Sequence, residues 1–181
     1  MTAYHHIMAH FPIALLLIST LFMLLRIISN HSTLVSLEKS VPGLLVFGLL
    51  GSIAAFITGM ILWPLEASLS SPMAKNKILF SAWAMMAWLS VAVVRIRAGS
   101  DLWQSQLKWP VMLLAIIAAG LLSVSGALGG YLMGSPSDFS TLLNLLGWNV
   151  YQTFYSATWA IIFATLVGII LIVTGIVRKE Q

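Results

Sequence analysis

The chain contains no cysteine, which excludes disulfides, thiolate metal ligands, iron–sulfur clusters and cysteine nucleophiles. Only 8% of its 181 residues are charged and 60% are hydrophobic, whereas a soluble domain has about 25% charged and less than about 50% apolar residues. We therefore predict an integral membrane protein, with one membrane domain over residues 1–181 embedded in a lipid bilayer. Because its basic residues lie near the ends of apolar runs, the net charge of +4 does not indicate nucleic-acid binding.

Ionisable residues are also missing from the middle of every long apolar run. Pumps and ion-coupled transporters usually carry such a residue inside the membrane, so its absence argues against both classes. The chain has no Ser-His-Asp arrangement, no His-Glu-x-x-His motif and no glycine-rich phosphate loop. The sequence leaves open whether the protein is an enzyme.

Five apolar runs are long enough to cross roughly 30 Å of hydrocarbon as helices. They cover about residues 11–28, 42–63, 78–94, 110–133 and 154–177. Pro12 and Pro42 suit the first turn of a helix, where an N–H group has no intrahelical partner. Residues 139–146 are consistent with a short helix in the membrane interface. The fold class predicted is an all-α integral membrane protein with a bundle of five transmembrane helices.

Basic residues are distributed unequally between the two sides of this predicted bundle. Seven flank the runs on the side away from the N-terminus and two flank them on the N-terminal side. Cytoplasmic loops carry the excess of Lys and Arg, so we expect the N-terminus outside and the C-terminus in the cytoplasm of a bacterial inner membrane. The seven are Arg26, Lys39, Arg95, Arg97, Lys108, Arg178 and Lys179, and the two are Lys75 and Lys77. We expect no signal peptide, because no basic residue precedes the first run.

Two of the runs carry a stripe of small residues, which lets helices approach closely in lipid. The stripe of the second run consists of Gly51, Ala55 and Gly59. The stripe of the fourth run consists of Gly126, Gly129 and Gly130. We predict that these stripes face other helices, the fourth run against the second. Such faces also favour assembly with a second copy of the chain or with a partner membrane subunit.

Three of the four histidines lie within six residues, immediately before the first run. His6 and His10 are four residues apart, so a helix that begins early places both on one face, where they could bind copper, zinc or iron with a third ligand. Pro12 disfavours a helical conformation at Phe11. This effect favours an extended segment before the first helix, with the histidines in it. The alternative for His5, His6 and His10 is a polar cluster that caps the first helix.

A haem b is the second group that this cluster could hold, with His10 as the first ligand. The second ligand would be His5 or His6, Met133 or Met60, or His10 of a second copy. Glycines at the end of the fourth run would leave space for a flat ring. The structural alternative is that the methionines only fill gaps in the core.

The segment His5-His6-Ile7-Met8-Ala9-His10-Phe11-Pro12 resembles the opening of the bacterial inner-membrane domain-of-unknown-function family 2231, which begins with His-Pro and continues with His-Phe-Pro-Ile. Thr58-Gly59 and the glycines of the fourth run also resemble that family, over about the first 134 residues. The four-helix layout of the family is similar to that of small b-type cytochromes, and this similarity implies a haem. The chain departs from the pattern at His6, where the family has proline, and at Asn76 or Lys77, where members often have histidine. It also lacks a histidine after Gly130, so the family's most obvious second ligand is missing.

Three function classes remain. The first is a redox-linked membrane subunit that binds haem b or a metal near its outer face and passes electrons, with a quinone between helices as a further element. The second is a non-catalytic membrane scaffold that docks a partner protein. The third is a channel for a neutral solute.

Overall fold

The computed structural model describes residues 2–64, 66, 70–152 and seven positions between 159 and 170, with backbone alone at 2–4, 6 and 7. All secondary structure in this part of the chain is helical. The elements are α1 (Thr2–Ile28), α2 (Ser32–Glu38), α3 (Val41–Leu62), α4 (Pro72–Ala98), a 3₁₀ helix (Gly99–Trp103), α5 (Lys108–Leu132) and α6 (Asp138–Leu145).

Four segments of the described chain are long and apolar enough to cross a membrane, namely Met8–Ile28, Ser32–Leu62, Pro72–Trp103 and Lys108–Leu132. They match the first four predicted runs, which confirms an all-α, membrane-embedded protein. Helix α6 agrees with the short helix predicted after the fourth run. The fifth run falls mostly outside the described residues, so the count of five and the orientation of the termini stay predictions.

The four long helices are packed as neighbours in a ring. The most extensive contacts join α1 to α3 and α4 to α5, and smaller ones join α3 to α4 and α1 to α5. His5 near the start of α1 meets Thr58 near the end of α3, and Lys77 near the start of α4 meets Gly129 near the end of α5. Both pairs are therefore antiparallel, and the two ends of the bundle are called here the His5 end and the Arg95 end.

The middle of the bundle and its Arg95 end form a solid core. Leu16, Met23, Leu45 and Trp88 are each no more than 1% exposed and belong to one hydrophobic cluster. Their burial removes large apolar side chains from contact with lipid and lets them fill the space between helices. The cluster closes the bundle beneath the His5 end.

A buried ion pair lies at the Arg95 end. Arg95 donates from Nε and from Nη2 to Oε1 of Glu38, both at 2.5 Å, and from Nη1 to the Gly99 carbonyl oxygen at 2.9 Å. The guanidinium carbons of Arg26 and Arg95 lie 5.8 and 5.9 Å from the ring centroid of Trp103. The pair joins α2 to α4. Its two members are 57 positions apart in the sequence, so no local sequence pattern reveals it.

Helix α1 begins earlier than predicted. It starts at Thr2 rather than near residue 11, and Pro12 lies inside it rather than in its first turn. The extended lead-in that we expected from Phe11-Pro12 is therefore wrong. Proline removes one intrahelical hydrogen bond, but neighbouring helices make such a site tolerable in a membrane. Pro12 is buried against α3, where a Cβ on Gly51 would meet its ring carbon at 3.2 Å.

The small-residue stripe of α3 has a different partner from the one we expected. A Cβ on Gly48 would lie 2.8 Å from Leu16, and one on Gly59 would lie 2.9 Å from the ring of His5. Helix α1 therefore occupies this stripe, where we had expected the fourth run. Small residues allow a close approach but do not select which helix makes it.

Candidate functional site

A cavity of about 310 Å³ lies at the His5 end, between α1, α3, α4 and α5. This volume is at the lower end of the range of roughly 300–1,000 Å³ for small-molecule sites. The cavity collects most of the residues that the sequence analysis singled out. These are His5, His10, Ala55, Gly59, Met60, Gly126, Gly129, Gly130 and Met133. Gly51 packs against α1 instead, and the side chain of His6 lies outside the described part of the structure.

The orientation of the His5 ring is set by a two-step hydrogen-bond chain. The Thr58 hydroxyl donates its one proton to the Ala55 carbonyl oxygen at 3.0 Å. Its oxygen therefore accepts from Nδ1 of His5, which lies 3.2 Å away. In the neutral ring this assigns the proton to Nδ1 and the lone pair to Nε2. Gly59 makes room for the ring, since a Cβ there would come within 2.9 Å of its Cε1 carbon.

His10 is an exposed residue of α1 that also lines the cavity. It lies five positions after His5 in α1, which corresponds to about 140° around the axis of an α-helix. The two imidazoles therefore leave α1 in different directions, although both reach the cavity. This arrangement suits two separate interactions better than ligation of one small ion by both rings.

Met60 near the end of α3 and Met133, the residue after α5, lie on other walls of the cavity. Met133 is 43% exposed, so it is not a buried gap-filler of the core. The cavity thus places thioether groups from two helices near the imidazoles from α1. Histidine with methionine is one of the ligand pairs that hold haem iron in proteins.

Gly126, Gly129 and Gly130, near the end of α5, expose backbone without side chains to the cavity. A Cβ on Gly126 would meet nothing within 4 Å, so the space in front of it is open. A Cβ on Gly130 would lie only 2.6 Å from the carbonyl oxygen of Ser135 in the loop that follows α5. Gly126 and Gly129 therefore shape the cavity, while Gly130 allows the loop to fold back onto α5.

Lys77 is a cavity residue that the sequence analysis placed in a flanking loop. It lies in α4, and its Nζ is 5.2 Å from the ring centroid of Trp63. Its Cε occupies the space left by Gly129, at 3.2 Å from where a Cβ would be. The one signal available was the resemblance described above, which implies a family histidine at Asn76 or Lys77. Ser81 and Ser125, joined by a hydrogen bond of 2.6 Å, also line the cavity and were missed.

The charges around the cavity have one sign. The described residues that line it include the basic residue Lys77 but neither aspartate nor glutamate. Within the described residues, no three His, Asp or Glu side chains come together as a group that could hold a metal ion. The expected metal pair His6–His10 stays a prediction, since nothing is described of the His6 side chain.

Comparisons with curated proteins and with solved structures find no significant match. The profile of a family described as "Predicted membrane protein (DUF2231)" matches residues 2–135, which include α1 to α5 and the whole cavity. The resemblance noted at the histidine motif is thereby confirmed for most of the chain. The chain belongs to this family of membrane proteins.

Proposed function

We propose that the protein is a redox-linked membrane subunit that holds haem b in the cavity at the His5 end, with His10 as its first iron ligand. The observation that carries this proposal is that one cavity collects the imidazoles of α1 and three thioethers from the other three long helices or their ends, those of Met60, Met85 and Met133. Met60 and Met133 are far from α1 in the sequence, and the packing of the helices brings them to the same cavity.

The residues fit such a group in two respects. The ligand types are those that haem iron takes, with Met133 or Met60 opposite a histidine. Gly126 leaves open space against which a flat ring can lie. The cavity of about 310 Å³ is smaller than a whole tetrapyrrole, so its residues would hold only part of such a group. When bound, haem b supplies reversible one-electron transfer.

The protein would hold the ligand side chains in position and surround the site with apolar packing. The hydrogen bond from His5 to Thr58 fixes one imidazole through an outer partner, which is how proteins orient ring ligands. The packed core around Trp88 fills the bundle beneath the site with apolar side chains. With the predicted orientation, electrons would enter or leave on the outer face of a bacterial inner membrane, through a second copy or a partner subunit.

A metal site at His6 and His10 is the second candidate, and the early start of α1 favours it. Because the helix runs from Thr2, residues 6 and 10 lie one turn apart on the same face. Two neutral imidazoles in that relation can bind copper, zinc or iron when a third ligand is added.

Reduced-minus-oxidised spectra and metal analysis of the protein purified from membranes test both candidates. Wild type should show a Soret band, and His10→Ala should lose it. The control is His31→Ala, which removes a histidine at the Arg95 end that accepts a bond from the Thr33 N–H. A wild type with neither a Soret band nor stoichiometric metal would refute the redox proposal and leave the scaffold and the neutral-solute channel. A cofactor that persists in His10→Ala would remove His10 from the ligand set.

A further inference from the structure

Lys77 is a half-buried cation for which the described chain provides no carboxylate. Among the described residues the one ion pair within 4 Å joins Arg95 to Glu38, at the opposite end of the bundle. None of the described residues lining the cavity is acidic. The same fold therefore gives its buried arginine a carboxylate and leaves its cavity lysine facing an aromatic ring.

The Lys77 side chain is held toward the cavity by two contacts. Its Cε fits into the space over Gly129, and its Nζ lies over the ring of Trp63 at 5.2 Å. The ring face attracts the cation, but it replaces only part of the hydration that an ammonium group loses on burial. An anion in the cavity would restore the missing interaction.

The rest of the lining fits a molecule with an apolar body. Ile13, Phe56, Ile78 and Leu122 line the same space, and the space in front of Gly126 is open. A small inorganic anion would leave these apolar walls without contact. An amphiphile would cover them while its charged group reached Lys77.

We propose that the cavity binds an amphiphile through an anionic oxygen group, a carboxylate or a phosphate, and that Lys77 is the residue that binds this group. The inference deepens the proposed function, since it names the part of the ligand that the protein recognises. The group has two sources, the carboxylates of haem b itself or the phosphate of a membrane lipid.

Two pairs of probes distinguish these sources in the purified, ligand-depleted full chain in neutral detergent. The first pair is haem b and its dimethyl ester, which lacks the two carboxylates. The second pair is phosphatidylglycerol and diacylglycerol with the same acyl chains. Binding is measured by absorbance for the haems and by the shift of the thermal unfolding midpoint for the lipids.

In at least one pair, wild type should bind the anionic member at least about tenfold more tightly, the size expected for a charge-assisted hydrogen bond. Lys77→Met should lose that preference, and Lys77→Arg should keep part of it. Lys75→Met is the matched control, because Lys75 is exposed on the same helix and does not line the cavity. A folded Lys77→Met or Lys77→Gln protein that retains the full preference would overturn the proposal.

The outcomes separate this inference from the haem proposal. A lipid preference that depends on Lys77, in a protein that binds no haem, supports the anion site and refutes the haem. Haem binding that is equal for the ester, and equal in Lys77→Met, together with no preference for the anionic lipid, supports the haem and refutes the anion site. A wild type that prefers neither anionic probe also overturns the inference.

Discussion

Removing the carboxylate of Glu38 should destabilise the protein strongly. The Glu38 and Arg95 side chains are 5% and 6% exposed, and Oε1 of Glu38 accepts two bonds of 2.5 Å from the guanidinium. In Glu38→Gln the guanidinium of Arg95 stays buried without a counter-charge. A second cation, Arg26, lies against the same Trp103 ring. Breaking a buried pair from one side costs about 3–5 kcal/mol. We expect the lower end, because an arginine at the end of a span can turn its head group toward the interface.

A double-mutant cycle tests whether this cost comes from the unpaired charge. Arg95→Met alone should also destabilise, because it leaves the carboxylate buried. The double variant should be within about 1–2 kcal/mol of wild type, since a pair replaced by neutral groups is often close to neutral. Unfolding is followed by circular dichroism in detergent, and Glu66→Gln, at an exposed carboxylate, is the control. An unchanged unfolding midpoint in Glu38→Gln, or a double variant destabilised by as much as the two single variants together, would refute the reasoning.

Two further predictions concern topology and the glycines of α5. A reporter that is active only in the periplasm should be inactive when fused after Gln181, because the basic residues favour a cytoplasmic C-terminus; full activity there would contradict the five-helix topology. Gly126→Ala should stabilise the protein by about 1 kcal/mol or less, since alanine is the better helix former and its Cβ meets nothing within 4 Å. Gly130→Ala should lower the thermal midpoint in detergent, because its Cβ would lie 2.6 Å from the Ser135 carbonyl oxygen. Equal midpoints for these two variants would show that the loop does not rest on α5.

The membrane-spanning helices could be predicted from the sequence because the thickness of the bilayer sets their length. The start of α1 could not, because three histidines interrupt the apolar pattern before Pro12 and proline usually marks a first turn. The structure continues the helix to Thr2, where His5 can bond to Thr58 across the interface with α3. That bond depends on the distance between two helices, and no local pattern contains it.

Some residues of the cavity could be predicted from the sequence. Lys77 could not, because its direction depends on the rotation of α4 about its axis. His10 and the glycines of α5 stood out as groups that are unusual in a membrane span. Lys77 did not, because the predicted span began at residue 78 and placed it among the flanking charges. Since α4 begins at Pro72, Lys77 follows the first turn, and its direction depends on how α4 is rotated against α5. The close fit of its Cε over Gly129 shows that this rotation is set by the partner helix. A basic residue that flanks a span therefore has two possible roles, orienting the chain or binding a ligand, and only the packing of the neighbouring helix distinguishes them.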